Sequence, residues 1–569
     1  MPALMFLLIF QEAVELHGVR PGGFISNGYG SVIVRVASVA AGSVAIAAVV
    51  IKYLLSTRRP KDYPPGPPTI LGIGNLHQIP LKQPFCQFHE WSKTYGDIIG
   101  LKVGPANIVV LHSPEYVREL FDKRGAIYSG RPYSYIPAEH VFREHGDKHI
   151  LNLQNGVFLR RWRAAVAHFV GPVGLKQSLR FQEETASTLM YRLLLTEGHQ
   201  DSLDHIKHWA LATPLLAITG QRLEDRGKAF ADRFFDAQEK WLELLEPGNT
   251  PPVDIFPFLR WIPERLADWK TKARTVREYM FEEYFGYLKT AKDLRCENDN
   301  QGSIADLECL MTKILGDADK DEGKGKSFTD DEVAYLGGGL LDAAVDTTWA
   351  TMMSLIMFLT AHPDIQEKAF EEINQASPTT PPTADVLDRL PYVRACLSET
   401  FRLRPPAPNG LPHVLDRDDT FNGYKIPKGT TLLANVWGIQ RNADDYDDPE
   451  EFRPERYLLH PLGLKPGLEA AHGRKATYTF GAGRRICPGE QFAENSVLMT
   501  VAKLLWAFQI TSPEPLNLSV ETGFHTGLVL SPMPFNVDFV LRDEARRHAI
   551  VLDYNGSLSG TGLNAHNSH

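Results

Sequence analysis

The stretch that most restricts this chain is Phe480-Gly481-Ala482-Gly483-Arg484-Arg485-Ile486-Cys487-Pro488-Gly489. Gly481, Gly483 and Gly489 let the backbone turn tightly and let a flat ligand come close. Pro488 suits the first position of a helix, where its missing N–H costs nothing. Cys487 is then expected at a helix N-terminus, whose dipole favours a thiolate, with Arg484 and Arg485 adding positive charge. The other cysteines are Cys86, Cys296, Cys309 and Cys396. Five scattered cysteines make no disulfide framework. No CxxC pair exists, so structural zinc is not expected, and sparse thiols fit a reducing compartment. A lone thiolate on a glycine loop has the geometry of a ligand on a preformed cofactor. The common alternative is a buried structural cysteine.

A second local feature concerns the membrane. From Val36 to Ile51 the chain carries no charge. As a helix that run is about 24 Å long, short of the roughly 30 Å hydrocarbon core. Arg35 and Lys52 bracket it and can snorkel to the interfaces. Arg58, Arg59 and Lys61 follow, so the positive-inside rule places the rest of the chain in the cytosol. A signal peptide fits poorly, because Lys52 stands where small cleavage-site residues would be needed. In a cytosolic domain the sequons at Asn517 and Asn555 stay unmodified.

Length alone, 569 residues, would allow several domains. With 43% hydrophobic and 23% charged residues, wholesale disorder and collagen-like repeats are excluded. The net charge of −9 gives no reason to expect nucleic acid as a partner. Patterning reduces the domains to one. Residues 1–30 read as an N-terminal extension, 31–57 as a transmembrane anchor and 58–68 as a proline-rich, stiff linker. Residues 69–545 read as one mainly α domain with small β-sheets, and 546–569 as a frayed polar tail. Ile98–Val103 and Asn107–Leu111 predict a hairpin around Gly104-Pro105, and helical periodicity runs from about Pro114 to Arg404. Residues 317–326 read as a charged surface loop, and a helix is expected from about Pro488 to Phe508.

Two helices carry polar groups in unusual places. One opens with the capping box Thr329–Glu332, with Phe328 and Val333 set for a hydrophobic staple, and ends at His362-Pro363. Midway it holds Ala343-Ala344-Val345-Asp346-Thr347-Thr348. An acid beside a hydroxyl in an apolar stretch is costly unless it is used or paired. The other helix, opened by Pro391, carries Glu399 and Arg402 three apart on one face.

Phe480, Gly483, Arg485, Cys487 and Gly489 match the pattern FxxGxRxCxG in full. The segment resembles the haem loop of the cytochrome P450 family, and the resemblance spans about residues 60 to 541. It implies the cytochrome P450 fold, a single large helical haem domain behind one N-terminal transmembrane helix. It implies heme b as cofactor, with Cys487 as the axial thiolate on iron. Trp162-Arg163 resembles the family's haem-contact helix, and Arg485 and His413 occupy positions that hold the haem propionates in relatives. Val166 stands where a second arginine is expected after Trp162-Arg163. Glu399, Arg402 and Arg456, the last in Phe452-Arg453-Pro454-Glu455-Arg456-Tyr457, match the family's buried triad. Asp346 and Thr347 match its oxygen-activation segment, where they serve proton delivery. Ala344 replaces the family's glycine there.

The resemblance further implies a monooxygenase that inserts one atom of O2 into a lipophilic small molecule. Electrons come from NADPH through a cytochrome reductase, with cytochrome b5 as a second candidate donor. The expected setting is the endoplasmic reticulum membrane, single-pass, with the catalytic domain cytosolic. The likeness is to membrane-anchored fungal enzymes of secondary metabolism. Arg160, Arg161, Arg163, Arg474 and Lys475 are candidates for a basic docking face. Two other readings stay open: a haem-thiolate isomerase or dehydratase working without O2, and a non-catalytic haem-binding protein. Dependence of turnover on NADPH and reductase separates the first, and a substrate-induced spin shift the second.

Overall fold

The uncharged run near the N-terminus forms part of one helix, α1 (Asn27–Ser56). The computed structural model describes residues 27–196, 202–246, 248–301, 308–320, 328–468 and 473–559. Most of the expected N-terminal extension therefore lies outside the described residues. From Val36 to Ser56, α1 is long and apolar enough to cross a membrane, and none of that stretch is buried in the fold. Its end is keyed to the domain: the Tyr53 hydroxyl donates to the Gly72 carbonyl at 3.0 Å, and the Gly72 N–H donates to Thr57 Oγ1 at 2.9 Å.

The proline-rich segment is not a free spacer. Arg59 donates to the carbonyls of Gly66 (2.7 Å), Pro67 (2.7 Å) and Gly100 (3.1 Å), and the Gly100 N–H donates to Pro65 at 2.7 Å. Prolines that cannot donate expose their carbonyls as acceptors, and one arginine gathers them onto the first strand.

In chain order the larger helices are α2 (Pro84–Tyr95), α3 (Val157–Val170), α4 (Pro172–Leu195), α5 (Ser202–Thr219) and α6 (Leu223–Leu245). They continue with α7 (Asp268–Gln301), α8 (Leu310–Lys320), α9 (Asp330–Ala361), α10 (Pro363–Ala376), α11 (Pro391–Leu403), α12 (Glu490–Ala507) and α13 (Glu544–Ser559). The strands are β1 (Ile98–Val103), β2 (Ala106–Leu111), β3 (His413–Val414), β4 (Asp419–Phe421), β5 (Tyr424–Ile426), β6 (Thr431–Ala434), β7 (Phe508–Thr511), β8 (Phe524–Thr526), β9 (Leu530–Pro532) and β10 (Asp538–Leu541). The main sheet has the order β1-β2-β6-β3. β1 pairs antiparallel with β2, Ile98 opposite Leu111, while β2 pairs parallel with β6. This crossover brings His413 on β3 back beside the segment around Tyr128.

α9 is the axis of the domain. Thr329 caps it in the expected box with Glu332, and its 32 residues extend about 48 Å. Its first half, Val333 to Val345, belongs to one apolar core with α3 and α5 to α8. Its second half, Met352 to Leu359, belongs to another with α4, α5 and α10 to α12. Asp346, Thr347 and Thr348 fall at the seam between these cores. Polar side chains are tolerated there because neither core closes over them.

Three expectations change. The charged segment 317–326 begins as the last turn of α8, which reaches Lys320, and residues 321–327 lie outside the described residues. The helix expected from Pro488 starts at Glu490, with Gly489 as its N-cap. The tail expected to fray from 546 is α13 as far as Ser559. Ile550 is buried in the second core, Tyr554 stacks on Tyr191 at 4.2 Å, and Asp553 pairs at 2.6 Å with the buried Lys503. One apolar contact, one stack and one ion pair were too sparse in a polar sequence to read as an amphipathic face.

Candidate active site

The glycine loop is built from both ends. Gly483 has φ of +65°, and a Cβ there would lie 1.9 Å from the Phe121 carbonyl oxygen, so only glycine fits. Its N–H donates to Asp122 Oδ1 at 2.6 Å. The Cys487 N–H donates back to the Phe480 carbonyl at 2.8 Å and closes the loop. The Phe480 ring meets Phe401 of α11 edge-on at 5.1 Å. Arg163 of α3 donates to the Ile486 carbonyl at 2.8 Å, tying the loop to that helix. Gly489, at φ of −88°, has ordinary backbone geometry.

Cys487 lies deep in the fold, yet its side chain is exposed. Burial pushes its thiol up to about 11, against the pull of the Gly489 N–H and Arg163. The helix-dipole argument predicted the opposite sign. The helix begins three residues later, and desolvation outweighs it. A thiol held protonated in this way becomes a thiolate only when a metal takes the proton's place. Ala343, midway along α9 between the buried Asp342 and the half-buried Ala344, is exposed as well. Both side chains mark a hollow enclosed by the fold.

One side of the site is a cationic cradle. Arg485 is buried and donates through Nε to the Ser129 carbonyl (2.9 Å) and through Nη2 to the Leu153 carbonyl (2.5 Å), but Nη1 has no partner among the described residues. Trp162 is buried with its indole N–H unpartnered. Arg131, also buried, donates from Nη1 to the Pro412 and Leu411 carbonyls and leaves its Nε without a partner. Desolvation, then the neighbouring Arg485, pushes Arg131 down to about 9. Buried donors with nothing to bind are costly, so this group fits an anionic ligand with several acceptor oxygens. The carboxylates of a haem meet that description.

His413 joins the same wall. Its ring stacks on Phe121 at 4.0 Å, and its Nδ1 lies 2.7 Å from the Tyr128 carbonyl, which can only accept. A neutral ring therefore presents Nε2 as an acceptor. Burial, and then Arg131, pushes His413 down to about 3. It becomes a donor to a carboxylate only by taking a second proton.

Beneath the loop, Glu399 accepts from Arg402 Nε and Nη2, both at 2.7 Å, and from Arg456 Nε at 3.0 Å. All three are buried, at 0% to 2% exposure. Arg402 continues to the carbonyls of Gln440, Pro449 and Glu451, and Arg456 to those of Asp447 and Asp448. One carboxylate thus organises two arginines that clamp five carbonyls of an irregular segment.

On α9, Thr347 Oγ1 donates to the Ala343 carbonyl at 2.9 Å, with Ala344 further at 3.4 Å. The Asp346 carboxylate accepts from Gln238 of α6 at 2.8 Å. Burial pushes Asp346 up to about 6, opposed by Gln238 and by Lys207 of α5.

A family model for cytochrome P450 matches residues 64–539. This chain belongs to the cytochrome P450 family. Among curated relatives, the cytochrome P450 monooxygenase grgG of a Penicillium species is 36% identical over 519 residues, covering 88% of this chain and 92% of that protein. The cytochrome P450 monooxygenase yanC of Aspergillus niger is 32% identical over 516 residues, covering 89% and 94%. A solved zebrafish cytochrome P450 shares the fold, with a TM-score of 0.64 and 22% identity over 81% of this chain and all of that one. The protein is a haem-dependent oxidoreductase of the monooxygenase class, with haem iron on a thiolate ligand.

Within this P450, Arg131 is the residue that motif reading missed. Val166, where a second arginine was expected, is buried and apolar, and Arg131 brings its charge from another segment. The sequence signal was no more than an arginine before Pro132. The expected basic docking face is mostly committed elsewhere. Arg161 pairs with Glu332, and Arg474 makes a bidentate pair with Asp445. Lys475 donates to Gly481, Arg163 serves the loop, and Arg160 alone of the five is fully exposed.

Proposed function

We propose that Cys487 would supply the thiolate that holds the haem iron and that the enzyme inserts one oxygen atom into a lipophilic small molecule of fungal secondary metabolism. The observation that carries this is a deep yet accessible thiol beside buried donors that lack an acceptor, with an acid and an alcohol on the helix at the hollow. When bound, haem supplies dioxygen binding and activation. The protein does the rest. Trp162, Arg131 and Arg485 hold the carboxylates, with His413 as a further donor once protonated. Glu399, Arg402 and Arg456 keep the segment under the loop rigid. Asp346 holds a proton and hands it on, with Thr347 beside it, since an acid near 6 serves both states at neutral pH.

We assign the catalytic domain to residues 58–559, with the proline segment and α13 as parts of it and α1 as a single span. The setting is the endoplasmic reticulum with the domain in the cytosol. Electrons come from NADPH through a membrane-bound reductase, with cytochrome b5 as an auxiliary donor. Deleting the gene in its host and profiling metabolites tests the substrate class. A lipophilic precursor lacking one oxygen should accumulate. An unchanged profile, or turnover independent of O2 and reductase, contradicts the reading.

A further inference from the structure

α9 carries a second acid that the reading above does not use. Asp342 precedes Asp346 by four residues, so the two share a helix face. Its carboxyl is buried and accepts a hydrogen bond from the Tyr284 hydroxyl of α7. The contact is built in: a Cβ on Gly338 would lie 2.0 Å from the Tyr284 ring, so a glycine admits that ring against α9. Gln238 ties the two acids together, its amide donating to the Asp342 backbone carbonyl (2.9 Å) and to Asp346 Oδ2 (2.8 Å).

We propose that Asp342 is the proton store that recharges Asp346, with Tyr284 as its positioning residue. The inference rests on the assignment of proton delivery to Asp346. In the step, the Asp342 O–H breaks and its proton passes, directly or through one water, to the Asp346 carboxylate. The Asp342 carboxylate so formed keeps the Tyr284 hydrogen bond, and a solvent proton restores it. The resupply side is lined by Tyr279 and Tyr287, which feel both Asp342 and Glu283. Glu283 in turn pairs with the partly exposed Arg226 at 2.8 Å and faces Arg233 at 3.6 Å.

The charged and titratable groups around the two acids are thus Lys207 on α5, Arg226 and Arg233 on α6, the α7 tyrosines with Glu283, Tyr335 on α9, and the buried His149, whose ring lies against α9 at Gly339. Burial, with the charge of Asp346, pushes Asp342 up to about 7. That is close to the value for Asp346, so the transfer is nearly balanced. A purely structural role would be met by asparagine, which also accepts from a tyrosine. Only a carboxyl both holds and releases a proton.

The test uses infrared pH-difference spectra of the intact holoenzyme. Wild type should show protonated-carboxyl bands that titrate near neutrality. Asp342→Asn should lose the band that titrates at higher pH and leave the other, from Asp346, in place. With the precursor from the deletion strain as substrate, product per NADPH should fall on the order of tenfold in Asp342→Asn and recover in Asp342→Glu. An unchanged infrared spectrum, or a lost band with unchanged coupling, overturns the proposal. If Asp342→Asn does not fold, Tyr284→Phe must move the Asp342 band, and an unmoved band overturns it equally. Asp346→Asn separates the two readings. Lost coupling there with intact coupling in Asp342→Asn removes only the store, whereas intact coupling in Asp346→Asn removes both.

Discussion

At the residue scale, the site is defined by groups whose surroundings contradict their chemistry. Arg131 and Trp162 each hold a donor that nothing among the described residues accepts. Arg131→Met should therefore leave the fold intact and weaken haem retention about ten- to a hundredfold, read as haem transfer to an apo-globin. The two acids on α9 give a pH signature. Both bind protons more tightly folded than unfolded, with values pushed up to about 7 and about 6. Their contribution to stability is thus greatest at low pH, falls as pH rises from about 4 through those values, and is flat above them. Thermal melts between pH 5 and 8 should show this decline, and Asp342→Asn should flatten it. Cys487 was legible in sequence because glycines, arginines and a proline surround it in a fixed spacing. Arg131 was not, because its role depends on β3 bringing residues near 413 to the segment near 131.

Elements show the same division. The β1–β2 hairpin and α9 with its capping box were readable from local signals alone, since alternation and caps act within a few residues. α13 was not, since its partners Tyr191 and Lys503 lie on α4 and α12. Asp553→Ala leaves Lys503 buried without its carboxylate and should cost about 3 kcal/mol by chemical denaturation. Gly338→Ala should cost about 1–3 kcal/mol, because its Cβ meets a ring packed between two helices. Gly286→Ala, on α7, where a Cβ meets nothing within 4 Å, makes no such clash and serves as the control.

For the whole molecule, the two largest cores, joined by α9 and α5, leave a polar seam where they meet on α9, and the acid and alcohol of the site lie on that seam. The membrane helix takes no part in either core. Removing residues 1–52 should give a folded protein with an unchanged haem spectrum. Cutting through residue 57 also removes Tyr53 and Thr57 from Gly72 and should lower Tm by a few degrees. Length suggested several domains, and the seam explains why there is one. Each core closes on its own half of α9, so the one helix holds both together.

The most direct test of the account is the reduced carbon-monoxide difference spectrum of wild type and Cys487→Ala. The account predicts the red-shifted Soret band of a thiolate-bound haem in wild type and its complete loss in the variant. A red-shifted band that survives in Cys487→Ala contradicts it.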